Sequence, residues 1–134
     1  MNVNALAPAG RILLAVLFLL SGINKIFAPQ QVIGYIAHVG LPLPVLGYAL
    51  AVALEVGGGL LLLVGYKTRF AAIALAVFSV AAALLFHSAL GDQNQFAHFM
   101  KNLAIAGGLL HVAAFGAGAF SVDARRGITT ALAS

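Results

Sequence analysis

The chain alternates long apolar runs with short polar or proline-bearing joints. The runs cover about 8–28, 45–65, 70–90 and 98–120, and each meets the ~20 mostly apolar residues that a helix needs to cross a bilayer core. None alternates like a barrel strand, and no proline falls between residues 45 and 134. Helix is therefore the predicted state, because backbone in lipid must satisfy its own hydrogen bonds. The joints are the uncharged Pro29–Pro44, the short Tyr66–Arg69, and Gly91–Ala97. Within the first, Gln30–His38 is bounded by Pro29 ahead and by Gly40 and Pro42 behind, which predicts a short interfacial helix. After Ser121 the tail Asp123–Arg126 turns polar and is expected to be exposed. The predicted fold is all-α: an integral membrane four-helix bundle forming one transmembrane domain over residues 1–134, with the interfacial helix in its first outer loop.

Composition supports this reading. Hydrophobic residues make up 63% of the 134 and charged residues 7%, against roughly 45–50% and about 25% in soluble domains. A soluble fold this small exposes too much of its chain to hide that surface. The formal charge of +4 comes from Lys and Arg scattered at the ends of apolar runs. No basic stripe with interleaved aromatics is present, which argues against nucleic-acid binding. The positive charge reads instead as topogenic. Arg11, Lys67, Arg69, Arg125 and Arg126 fall on one side of the bundle, and Lys25 and Lys101 on the other with Asp92. The positive-inside rule then predicts a multi-pass protein of the bacterial inner (plasma) membrane with both termini in the cytoplasm. Arg11 followed by Ile12–Leu20 and Ser21-Gly22 imitates a signal peptide, but the apolar stretch runs on to Ala28 without an A-x-A-like site, so it is read as a retained span. The absence of cysteine excludes structural disulfides, thiolate metal sites and thiol exchange by this chain.

An internal repeat is faintly visible. Arg11-Ile12-Leu13-Leu14 and Arg69-Phe70-Ala71-Ala72 open the first and third runs, and Gly58-Gly59-Leu60-Leu61 recurs as Gly107-Gly108-Leu109-Leu110. Two tandem helical hairpins related by an axis along the membrane normal would leave this pattern. Chance in a low-complexity apolar sequence would leave it equally well.

The residues that carry chemical information are those costly to place in hydrocarbon. Glu55 lies near the middle of the second run, just before Gly57-Gly58-Gly59. A charge there costs about 2.5–3.5 kcal/mol on insertion scales, so Glu55 is expected to face the bundle with a compensating partner. That partner fits a functional site and a structural ion pair equally. Ser21, Asn24 and Lys25 share a face of the first helix; Lys25 suits either snorkelling to headgroups or an inward pairing, and the adjacent Asn24 favours the inward one. His98, Lys101 and Asn102 repeat the same spacing at the start of the fourth run, and His87 closes the third on the same side. Asn102 also fits a purely structural hydrogen bond between helices. Asn24, Lys25, Glu55, His87, His98, Lys101 and Asn102 are thus expected to line one outward-facing polar pocket, with Phe18, Phe86, Phe96 and Phe99 as apolar walls. Glu55 is the candidate catalytic group, a proton acceptor. The others are candidates for holding an anionic or carbonyl-bearing ligand. The four histidines show no metal-ligand spacing, so no metal is expected.

The order Arg11…Phe18…Ser21-Gly22…Lys25, then Glu55…Gly59…Gly65, then Lys101-Asn102 with Gly107-Gly108-Leu109-Leu110 resembles the DoxX family over roughly residues 10–120. The motifs are short, and their order across runs of this length carries the resemblance. It implies a four-helix bacterial inner-membrane protein, a redox or quinone-linked role, a redox partner protein, and family positions at Lys25, Glu55, Lys101 and Asn102. The alternative is a non-enzymatic scaffold or small-molecule binder whose polar cluster is structural. Transport of a small anion is a third class, with less behind it. The glycines at 57–59, 107–108, 116 and 118 are candidates for helix packing within or between protomers of a homo-oligomer.

Overall fold

The computed structural model describes residues 3–126. Its helices are α1 (Val3–Phe27), α2 (Pro29–Val39), α3 (Pro44–Val52), α4 (Gly58–Val64), α5 (Thr68–Phe86), α6 (Gln93–Phe115) and α7 (Val122–Arg125). A π turn over Ala53–Gly57 joins α3 to α4 in one continuous rod. The segments Asn4–Phe27, Pro44–Val64 and Thr68–Phe86 are long and apolar enough to cross a membrane. Helix α6 has 23 residues, or about 35 Å at 1.5 Å per residue, but Gln93, Asn94, Gln95, His98, Lys101 and Asn102 make its first half polar. It also sits earlier in the chain than its apolar run. Asp92 starts it, its Oδ1 accepting from the N–H groups of Asn94 (2.8 Å) and Gln95 (3.2 Å), and Gly116 at φ 81° ends it. Hydropathy responds to neither signal.

The short helix expected in the first joint is α2, entered through Pro29 and closed by Gly40 at φ 95°. It packs on α3, with Ile36 buried. Helix α1 lies along α4 and the π turn, and α5 lies along α6, so the bundle is built from two helical hairpins joined through α4 with α5 and α1 with α6. Between them sit Phe18, Leu62, Leu75 and Leu109 with Ala15, Ala71, Ala72, Ala76 and Ala106. The alanines let helices approach closely where lipid supplies no hydrophobic drive. Leu13, Phe27, Phe70 and Val77 point outward, where hydrocarbon receives them.

The two ends of the bundle are finished differently. At one end Arg11 is only 2% exposed. Its Nη1 donates to the carbonyls of Leu62 (2.7 Å) and Leu63 (2.9 Å), and its Nη2 to that of Phe120 (2.6 Å). The last carbonyls of a helix have no partner within it, and here a guanidinium from another helix supplies one. Gly65 ends α4 at φ 73°, where a Cβ would lie 2.5 Å from Ser121 Cβ and 2.9 Å from Arg11 Nη1. Asp123, also buried, accepts from the N–H groups of Lys67 (3.0 Å) and Thr68 (3.1 Å). A residue of the tail therefore caps the start of α5.

These contacts correct one expectation: Asp123 is not exposed with the tail, although Arg125 and Arg126 are. Arg11, expected on this side, is in addition a buried cap. At the opposite end tyrosines do the capping. Tyr48 Oη donates to the Lys25 carbonyl near the end of α1 (2.9 Å), and Tyr35 Oη to the Phe86 carbonyl at the end of α5 (3.2 Å).

Loss of the cap at Asp123 should be measurable. Asp123→Ala is expected to destabilise the detergent-solubilised protein by about 1–2 kcal/mol. Arg126→Ala, which among the described residues removes a contact over the Tyr66 ring, should shift the thermal midpoint less. Equal shifts would show that the carboxylate caps nothing that matters to stability.

Candidate functional site

The second apolar run would make one regular helix, but its backbone widens into a π turn at Ala53–Gly57, and Glu55 sits inside it. Such turns insert a residue, break the i→i−4 ladder and recur at functional sites. Close packing follows on the α1 side. A Cβ on Gly22 would lie 2.7 Å from Val56 Cγ2 and 3.2 Å from Glu55 Cβ, and one on Gly59 would lie 2.9 Å from Leu19 Cγ. These two glycines bring α1 against the turn. Gly57, by contrast, has open space beside it.

Glu55 is 1% exposed. Lys25, one α1 turn beyond Ser21, donates to Ser21 Oγ (2.9 Å) and places Nζ 2.7 Å from Glu55 Oε1. The lysine is therefore turned inward, and its charge compensates the acid at membrane depth. Oε1 faces the ammonium, and Oε2 accepts no hydrogen bond among the described residues.

Beside this pair lies a cavity of about 570 Å³, within the range of roughly 300–1,000 Å³ typical of small-molecule sites. Leu17, Phe18, Leu54, Phe78, Leu85 and Ile105 form much of its wall. Lys25, Glu55, His87, His98, Lys101 and Asn102 all line it, so residues from four distant parts of the chain meet in one space. The His87 and His98 rings stack with centroids 5.0 Å apart, and His87 Nδ1 lies 3.1 Å from Gln95 Oε1. Glu55 is the buried member of the set and Lys101 the exposed one. Helix α2 contributes Val32, Tyr35 and Ile36 to the lining, with Tyr35 stacked on Phe86 at 5.6 Å.

Asn24 does not join this set. It is exposed and lines a shallower groove with Ala28 and Gln31, which shares Ser21, Lys25, Val32 and Tyr35 with the cavity. Successive residues point about 100° apart on a helix of 3.6 residues per turn, and Lys25 holds the inward direction. Of the four expected phenylalanines, Phe18 and Phe86 line the cavity and Phe96 and Phe99 do not, while Phe78 joins the wall. The inward face of α6 is that of His98, Lys101, Asn102 and Ile105, and residues 96 and 99 lie off it. Ser79 adds a buried hydroxyl to the lining, and a serine inside an apolar helix is the sequence signal for it. Tyr35 and Tyr48 carried no signal, because their roles depend on which carbonyls the fold leaves open. His38 and His111 are exposed and outside the lining.

A family model described as DoxX matches residues 6–88, which takes in Lys25, Glu55 and His87 but not α6. The chain is 41% identical over 115 residues to the inner membrane protein YqjF of Escherichia coli K12, covering 84% of this chain and 85% of that one. It is 32% identical over 120 residues to the inner membrane protein YphA of the same organism, covering 86% of each. No solved structure matches it.

The ion pair predicts non-additive energetics. Glu55→Gln and Lys25→Met should each lower the thermal midpoint, and the double variant should lose less than their sum, with a coupling of at least about 0.5 kcal/mol. Additive losses would mean that the two charges do not interact in the folded protein.

Proposed function

Since the chain belongs to the DoxX family, we propose that it is a membrane subunit of a redox, quinone-linked complex that binds a small ligand in the cavity beside Glu55. It is a multi-pass protein of the bacterial inner membrane. The observation that carries the reading is a buried acid, paired with a lysine, set in the wall of an otherwise largely apolar cavity. Apolar walls suit a lipid-soluble molecule, and a few convergent polar groups would fix its orientation. In this reading Lys25 and Asn102 donate to ligand oxygens, and Glu55 takes or gives a proton at the ligand. With no cysteine for thiol chemistry, the electron-transfer steps are assigned to the ligand and a partner protein. The end carrying Lys67, Arg69, Arg125 and Arg126 would face the cytoplasm, which turns the cavity toward the outer leaflet.

One observation favours a second reading. Gly22 packs against the Cβ of Glu55 and the backbone of Val56, so the same ion pair fastens α1 to the π turn. In a scaffold protein the polar cluster would serve to set helix register.

Native mass spectrometry with lipid extraction, on gently solubilised protein, separates the two. The redox reading expects quinone on the wild type and its loss in a folded Glu55→Gln variant. Phospholipid alone on both forms would overturn that reading and leave the scaffold.

A further inference from the structure

We propose that the cavity's ligand is a hydrogen-bond donor: a neutral, largely apolar molecule whose hydroxyl, phenolic or alcoholic, is given to Glu55. This rests on the ligand-binding reading above and adds the polarity of the contact. A carboxylate is an acceptor with about four lone-pair sites. The carboxylate of Glu55 is buried, faces Lys25 through Oε1 alone, and accepts no hydrogen bond on Oε2 among the described residues. Buried acceptors left in that state are rare and costly.

The neighbouring donors leave Oε2 unserved. Tyr48 gives its O–H to the Lys25 carbonyl and Tyr35 to the Phe86 carbonyl, while Lys25 Nζ donates to Ser21 and otherwise faces Oε1. What the buried end of the cavity presents to a ligand is therefore an open acceptor.

Chemistry narrows the class further. A carbonyl oxygen can only accept, so it would meet the Glu55 oxygens lone pair to lone pair. Its place is nearer Lys101 and Asn102, which carry donors. An ammonium ligand would donate to Glu55, but it would bring a second cation beside Lys25 Nζ, already 2.7 Å from the carboxylate. A neutral O–H meets neither objection, and its hydrogen bond to a carboxylate is of the strong, charge-assisted kind. The apolar wall accepts the remainder of the molecule. For a quinone couple, this assigns the reduced, hydroxyl-bearing partner to the Glu55 end.

The test uses full-length protein in lipid nanodiscs, titrated calorimetrically with para-pentylphenol and with its methyl ether, para-pentylanisole, after subtraction of empty nanodiscs. The ether lacks the O–H and carries one more methyl group, whose apolar surface on its own would favour the ether. The phenol is expected to bind at least about tenfold more tightly, as loss of one charge-assisted hydrogen bond would give. That preference should shrink in Glu55→Gln protein whose helical circular dichroism is unchanged. The wild-type comparison stands even where the variant does not fold. Equal binding of phenol and ether would overturn the donor assignment while leaving the cavity a ligand site. Binding of neither would overturn the ligand site and the assignment together. A phenol preference undiminished in folded Glu55→Gln would place the contact elsewhere and overturn the assignment.

Discussion

A carboxylate in the hydrocarbon region of a membrane imposes conditions on everything around it. Water does not solvate it there, so compensation has to come from the protein. In this chain the compensation is Lys25, and the pairing sets much of the local geometry. To bring Nζ to 2.7 Å from Oε1, α1 must run close to the second apolar rod, and Gly22 and Gly59 remove the side chains that would hold the two apart. The π turn places Glu55 between α1 and the cavity. The same requirement leaves acceptor capacity on the acid unused, and the functional reading grows out of that.

The opposite end of the bundle solves a different problem by similar means. Where α4 stops and α5 starts, carbonyl and amide groups lose their helical partners. Arg11 reaches across to the former and Asp123 returns from the tail to the latter. Charged side chains in this protein are thus used as internal partners at both ends. One end is closed by backbone capping, and the other leaves a cavity. The division leaves a capped side and a side that holds the cavity.

Hydropathy made the membrane class, the helical state and the short helix of the first joint legible, because lipid penalises exposed backbone and polar side chains so heavily that few other folds could carry the pattern. For the same reason Glu55 and Lys25 stood out: a residue that is expensive where it sits announces a partner. The direction each polar residue faces was harder to read. Asn24 and Lys25 are neighbours, and only packing decides which one turns inward. Phe96 and Phe99 shared a helix with the cavity-lining residues but not a face. The π turn is a backbone feature whose only trace was the run of glycines after Glu55. The roles of Arg11 and Asp123 depend on which helix ends meet in space, and composition does not encode that.

The pairing of Glu55 with Lys25 in a bilayer is the claim from which the rest follows, and the sequence makes it open to direct measurement. Glu55 is the chain's one glutamate, so carbon labelling of the glutamate side chain yields a single carboxyl signal. Solid-state nuclear magnetic resonance of protein in lipid, with nitrogen-labelled lysine side chains, reads whether an ammonium lies against that carboxyl through their dipolar coupling. Strong dephasing of the Glu55 signal, lost in Lys25→Met, is the predicted result. A Glu55 signal that no lysine nitrogen dephases would contradict the pairing and the cavity chemistry built on it.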